Sequence, residues 1–404
     1  MEKIRIGLVG AGFCAHLHVN SLQNVKGIPV EIVGVAAKSL KSAEEFAGKF
    51  NIPKYYDDYR YLLDDKMVDI IDICAPNSTH KQICLDSARS GKNIICEKPL
   101  TGYFGEDLDE QVELIGDKVP KTKMYRMAMQ SADEIVRVIQ ENKVKFGYAE
   151  NFIYAPAIEK ARRLIKSSRG TILELRAEES HSGSHAAYSR FWKSSGGGAL
   201  LRLGTHPIGA VIHLKNYEGQ LKNGKPIKVK SVMADVANLT RVPSFLAESK
   251  KWVVSDWKDV EDWSAVFLTF EDGTKASIFS NDITLGGVIN FVEVRLSNSV
   301  IKCNITPNNT CQVYAPSPEE FADEYISEKL ETKAGWNFAF PDEDWARGYP
   351  QEMQDFIEAV YYNRDPISDI DLGREVVKVI YASYVSAELG QRVDLEKLEE
   401  DRMK

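Results

Sequence analysis

The chain has 404 residues, too many for one ordinary hydrophobic core, so two domains are expected. Hydrophobic residues make up 44% and charged residues 27%, the balance of a folded chain rather than a disordered one. A formal charge of −8 argues against a nucleic-acid-binding face, and no run of about 20 apolar residues is available for a membrane span. The opening "MEKIR" has no apolar leader-like segment, and the six cysteines (Cys14, Cys74, Cys84, Cys96, Cys303, Cys311) lack metal-ligand spacing. The expectation is a cytoplasmic protein with reduced thiols, no metal, no membrane partner, and idle sequons at Asn304 and Asn308.

In chain order, "IRIGLVGAG" (4–12) reads as a buried strand entering a glycine turn, with a helix following through Leu22. "VEIVGVAA" (30–37) is a strand, "SAEEFAGKF" (42–50) a helix, and "MVDIIDICAP" (67–76) a strand. "HKQICLDSARSG" (80–91) is a helix closed by glycine, and "KNIICEKPL" (92–100) a fourth strand. This alternation predicts a doubly wound parallel sheet, an amino-terminal domain over 1–124. Beyond it, "ADEIVRVIQENK" (132–143) and "AIEKARRLIKSS" (157–168) have helical spacing. The segments 171–180, 228–240, 264–280 and 290–305 alternate as strands, with Asp272-Gly273 marking a hairpin. These predict an antiparallel meander in a second domain over 125–404, closed by helices at about 349–390, with an extra helix in 101–131.

The first strand runs into Gly10-x-Gly12-x-x-Ala15, and a helix follows. That context gives each residue a job. The first glycine makes the tight turn, the second lets backbone approach a pyrophosphate, and the small third residue lets helix and strand pack. After the second strand stand Ala37, Lys38 and Ser39, with no carboxylate to hold a ribose 2′-hydroxyl, so the cofactor reading leans from NAD toward NADP. Lys98 ends the fourth strand, where a nicotinamide would sit. A partly desolvated lysine beside a cationic ring has its ammonium form disfavoured, which suits proton transfer. Pro99 restricts Lys98 to extended backbone and permits a cis bond.

These residues carry a family likeness. "GLVGAGFCA" and "VDIIDICAPNSTHKQICLDSARSGKNIICEKPL" resemble the Gfo/Idh/MocA (glucose–fructose oxidoreductase/inositol dehydrogenase) family, as do "GGGALLRLGTHPI", "GYPQEMQDFIEAV" and "SAELGQRVDL". The resemblance implies a Rossmann domain followed by a domain with a large open, mainly antiparallel sheet, through which dimers or tetramers form. It implies hydride transfer to or from NAD(P) on a sugar or cyclitol. It places cofactor contacts at Gly10, Gly12, Phe13, Cys14, Lys38, Ser39, Pro76, Asn77, His80, Glu97 and Lys98.

The stretch "SGGGALLRLGTHP" (195–207) departs from that family. If Gly198–Thr205 is helical, Arg202 and His206 share a face one turn apart. In the family an acid and a histidine stand there. His206 matches the histidine, whereas Arg202 fills the acid's place and cannot stabilise an imidazolium. Its fork suits a carboxylate, phosphate or sulfonate on the substrate, the alternative being an ion pair with an acid from elsewhere, such as Glu178 or Glu179. Nearby, His181 and Trp192 are candidate substrate contacts, as is Tyr154 in "NFIYAP". His181 and His185 are four apart, but Gly183 between them argues against convergence on a metal.

The leading expectation is an NAD(P)-dependent dehydrogenase or reductase of a sugar or sugar derivative, an anionic one included, with Lys98 and His206 in proton transfer. The alternative is an NAD-dependent glycoside hydrolase working by transient oxidation, elimination and reduction. A non-catalytic nucleotide-binding regulator, suggested only by the missing acid, ranks third.

Overall fold

The computed structural model describes residues 3–109, 111–306 and 309–402, so Asn308 lies outside the described residues. The chain forms two compact units, and the first is assembled from three segments: Met1–Tyr103, Met127–Tyr154 and Gly348–Val377. The second comprises Phe104–Arg126, Ala155–Arg347 and Lys378–Lys404. A single cut between residues 124 and 125 therefore follows chain order but not the packing.

The first unit is a six-stranded parallel sheet of β1 (Ile4–Val9), β2 (Val30–Ala36), β3 (Tyr55–Tyr56), β4 (Ile70–Ile73), β5 (Asn93–Glu97) and β6 (Phe146–Ala149). Its order is β3-β2-β1-β4-β5-β6, the doubly wound pattern. The isoleucine-rich runs of β1 and β4 are buried on both faces, as a parallel sheet covered by helices requires. Ala15 of the helix Phe13–Leu22 packs with Leu8, Val19, Val35 and Phe46, which explains the small residue at that place in the glycine motif. Gly10 takes φ +115°, and a Cβ there would lie 2.3 Å from the carbonyl oxygen of Cys74. Only glycine fits that crossing.

In the second unit β7 (Ile172–Ser180), β8 (Val229–Ala237), β9 (Trp263–Phe270), β10 (Lys275–Asn281), β11 (Ile289–Leu296) and β12 (Val300–Thr306) form most of one sheet. A hairpin of β13 (Gln312–Ala315) and β14 (Gly335–Phe338) stands apart, and β15 (Val393–Asp394) joins the edge of β8. The order β12-β11-β7-β10-β9-β8-β15 contains one parallel pair, β7 with β10, so the sheet is mainly antiparallel but not the simple meander expected. The expected hairpin turns at Gly273, and the helices Pro156–Ser168 and Thr205–Asn223 pack on the sheet elements. Met233, Phe267 and Phe279 are exposed on neighbouring strands, the two phenylalanines packed edge to face.

Within 101–131 stand a one-turn helix, Ile115–Lys118, and the start of Lys121–Asn142, which extends the helix expected over 132–143; the closing helices are Tyr349–Tyr361 and Ile370–Leu389. Among the described residues, no helix is long and apolar enough to cross a membrane.

Candidate functional site

Gly12 caps the helix Phe13–Leu22 without any side-chain hydrogen bond, and a Cβ built on it meets nothing within 4 Å. The space beside Gly12 is thus open at a helix amino terminus, where N–H groups could hold a pyrophosphate. Phe13 is exposed beside it and Cys14 half-buried. Lys38 is exposed, and the Ser39 hydroxyl caps the next helix by accepting from Ser42 N at 3.2 Å. Pro76 and Asn77 open the turn after β4.

Two expected cofactor contacts, His80 and Glu97, are buried and also hold backbone groups. The His80 ring is fully buried, with Nδ1 2.8 Å from Pro99 O and Nε2 2.9 Å from Ala75 O, so it pins the two strand ends. Glu97 is also buried, and its Oε2 accepts from Lys98 N at 3.0 Å. Lys98 itself is half-buried at the end of β5, and its bond to Pro99 is cis. Sequence reasoning overlooked His18, whose Nδ1 lies 2.8 Å from Asp72 and whose Nε2 lies 3.1 Å from Glu97. His18, Asp72 and Cys74 are clustered tightly enough to hold an ion, but the 2.8 Å contact is a hydrogen-bond distance. Burial opposes charge on this imidazole, yet Asp72 outweighs it and holds His18 protonated well above the usual range.

Tyr154 is not placed to touch a substrate. It is fully buried, donating to Asp355 Oδ2 at 2.8 Å and accepting from Ser368 N at 2.9 Å. Trp192 is likewise core, packed 4.8 Å from the Tyr384 ring with the Lys121 ammonium 4.6 Å above it. An aromatic residue near a motif reads the same in sequence whether it lines a site or fills a core.

The glycine stretch is built around Glu261. A Cβ on Gly198 would lie 2.0 Å from the Glu261 carbonyl oxygen, and the Glu261 carboxylate accepts from Gly198 N at 3.1 Å and Leu200 N at 2.9 Å. One helical turn, Ala199–Arg202, follows, and the chain breaks at Leu203–Gly204 before the long helix Thr205–Asn223 begins. Arg202 and His206 therefore belong to two elements rather than one continuous helix.

Arg202 is an ion-pair partner, as the alternative reading held, but of an acid it did not name. Its guanidinium bonds the Asp282 carboxylate through Nη2 and, at 3.5 Å, through Nη1, and lies 4.7 Å over the Trp257 ring. Glu178 instead accepts from Ser180 Oγ at 2.8 Å, while Glu179 Oε2 lies 4.0 Å from His206 Nε2. The His181 Nδ1 accepts from Gly183 N at 2.9 Å, which places any single ring proton on Nε2, and it lies 3.7 Å from Asp282. His185 is exposed, so the two histidines do not converge. The second unit thus holds two buried polar groupings, Arg202–Asp282–His181 and Glu179–His206.

Arg202→Ala should destabilise the second unit by about 3–5 kcal/mol, the loss when one partner of a buried ion pair is removed. Burial pushes the Asp282 carboxyl up, with Arg202 pulling it back down. Without Arg202 the folded state holds a proton that the unfolded chain releases, so the deficit grows as pH rises from about 4 to 7. Urea unfolding at both ends of that range measures it, and a loss below about 1 kcal/mol at neutral pH would sink the prediction.

Comparison with known proteins agrees with this architecture. Residues 4–119 match the model of an oxidoreductase family with an NAD-binding Rossmann fold, and residues 158–301 match the GFO/IDH/MocA C-terminal domain. The trans-1,2-dihydrobenzene-1,2-diol dehydrogenase of Mus musculus is 30% identical over 51% of this chain and 54% of its own. The levoglucosan dehydrogenase of Pseudarthrobacter phenanthrenivorans is 29% identical over 52% of this chain and 50% of its own. The chain spans about half the length of these curated relatives. Among solved structures, GenD2 from gentamicin A biosynthesis, in complex with NAD, superposes with a TM-score of 0.78 at 22% identity, over 98% of this chain and 97% of that one. The myo-inositol 2-dehydrogenase of Lactobacillus plantarum gives 0.70 at 19% identity, over 97% and 99%. At such identities the structural likeness speaks to the fold, and the two matched models supply the family. With its Rossmann sheet, glycine turn and open mixed sheet, the chain belongs to the GFO/IDH/MocA oxidoreductase family.

Proposed function

We propose that the protein is an NAD(P)-dependent dehydrogenase that oxidises a secondary hydroxyl of a sugar, polyol or related cyclic diol. The observation that carries this reading is the open glycine-turn cradle at Gly12, in the same parallel sheet as a lysine at the end of β5. When bound, the nicotinamide supplies the two-electron acceptor, so that a secondary alcohol and NAD(P)+ become a ketone, NAD(P)H and a proton. Lys98 and His206 exchange the hydroxyl proton, while Glu97 holds the Lys98 N–H and His80 the carbonyl of the following Pro99. Because Arg202 is engaged by Asp282, an anionic substituent would have to compete for it, and this moves the substrate reading from an anionic sugar toward a neutral one. The absence of a carboxylate after β2 supports acceptance of NADP(H) through Lys38. A second copy of the chain is the natural cover for the exposed Met233, Phe267 and Phe279, and light scattering of the purified protein reads whether it is a dimer or tetramer.

The test incubates the purified protein with NAD+ or NADP+ and a panel of inositols, levoglucosan and uronic acids, following reduced nicotinamide by absorbance. Steady formation with a neutral polyol, at least as fast with NADP+ as with NAD+, is expected. Release of nitrophenol from chromogenic glycosides without net NAD(P)H would overturn the dehydrogenase reading in favour of oxidation, elimination and reduction.

A further inference from the structure

We propose that Glu179 supplies the acid function which the sequence removed when arginine took position 202. The inference rests on the dehydrogenase reading and concerns the same residue, His206.

The geometry is that of the second unit alone. Glu179 sits near the carboxyl end of β7, its side chain buried, and its Oε2 lies 4.0 Å from His206 Nε2 at the start of the helix Thr205–Asn223. The neighbouring Glu178 is half-exposed and lines a shallow basin with Arg176, Phe267 and Phe279, so the strand's alternation sends the two carboxylates to opposite faces. Only Glu179 is on the His206 side.

A separation of 4.0 Å is too long for a direct hydrogen bond but short enough to share one. A substrate hydroxyl oxygen can stand about 2.8 Å from both atoms at once. Glu179 then accepts the hydroxyl proton's hydrogen bond or stabilises the imidazolium after His206 takes that proton, both of which an arginine cannot do.

The other charged groups near His206 do not offer this. Arg202, on the turn before it, is matched by Asp282 at the end of β10. His181, just after β7, has its Nδ1 occupied by Gly183 N, and Lys329 donates to the Gly183 carbonyl at 3.1 Å. Glu261 binds the backbone of Gly198 and Leu200, and Asp262 that of Leu239 and Thr240. On this reading the acid stands on β7, which packs against the helix Thr205–Asn223 that carries His206, while Arg202 on the preceding turn has its own counter-ion in Asp282.

The closing experiment has two readouts on wild type, Glu179→Gln, Glu179→Asp and the opposite-face control Glu178→Gln. Imidazole NMR titration, with His206 assigned through His206→Asn, should show the His206 midpoint fall by about half a pH unit or more in Glu179→Gln, stay near wild type in Glu179→Asp, and not move in Glu178→Gln. With a working polyol substrate, Glu179→Gln should lower kcat by about 10–100-fold at unchanged cofactor affinity, and shift the corresponding limb of the pH–rate profile. An unmoved His206 midpoint in Glu179→Gln, or full activity with an unmoved profile, overturns the proposal. Failure of the wild-type protein to reduce nicotinamide with any polyol overturns the dehydrogenase reading instead, while the midpoint still decides whether Glu179 and His206 are coupled.

Discussion

Replacing Lys98 by methionine should lower turnover by about 100-fold or more and leave cofactor affinity nearly intact, the scale expected when an acid–base group is removed. Lys98 is held at the end of β5 by its backbone N–H on Glu97 Oε2, and the following carbonyl is gripped by the buried His80 ring. None of these contacts uses the ammonium, so methionine keeps the chain stem and the strand end while removing the proton carrier. Steady-state kinetics with a polyol, beside a fluorescence titration of NAD(P)H, separate the two effects. A variant that turns over at the wild-type rate would mean that the proton leaves by another route.

Gly12→Val should abolish nicotinamide binding without unfolding the protein. Space for a side chain exists, since a Cβ at Gly12 meets no protein atom within 4 Å, and its backbone is extended. That emptiness is the cradle, and a branched side chain in it blocks the approach of a pyrophosphate to the helix amino terminus. Gly10→Val offers the contrast, because its Cβ would meet the Cys74 carbonyl at 2.3 Å and should break the fold itself. Thermal melting and cofactor titration of both variants distinguish the cases. Normal titration by Gly12→Val would remove the turn from the cofactor site.

The local signals were legible in sequence wherever one element decides its own conformation. The helix after Gly12, the strand ending at Glu97 and the hairpin at Gly273 each follow from nearby residues, and each is present. What escaped depends on residues far apart in the chain. Tyr55–Tyr56 and Phe146–Ala149 are too short to show a period, and they count as strands only because β2 and β5 offer them edges. The β7–β10 pair is parallel because a distant strand inserts beside β7, which alternation alone cannot reveal. Within the site, His206 and Arg202 stood out by their spacing, but the partner of Arg202 lies 80 residues on, at Asp282, with no pattern linking the two. His18 was overlooked for the same reason, since its meaning comes from Asp72 and Glu97 on two other strands. Tyr154 and Trp192 carry no sequence mark that separates a packed aromatic from a binding one.

The three-segment build of the first unit has a consequence for how the protein is made. β1 to β5 leave the ribosome early, but β5 waits for Phe146–Ala149 as its outer neighbour, and the helix Phe13–Leu22 waits for Tyr349–Tyr361, which packs against it. Residues 155–347 are translated in between, which at roughly 5–20 residues per second takes about 10–40 s. For that interval the nascent nicotinamide-binding half is an incomplete globule with an apolar helix face awaiting its cover. All of the second unit's large sheet except β15 can be synthesised before that cover arrives, so the unit that starts the chain is still open when most of the other has been made.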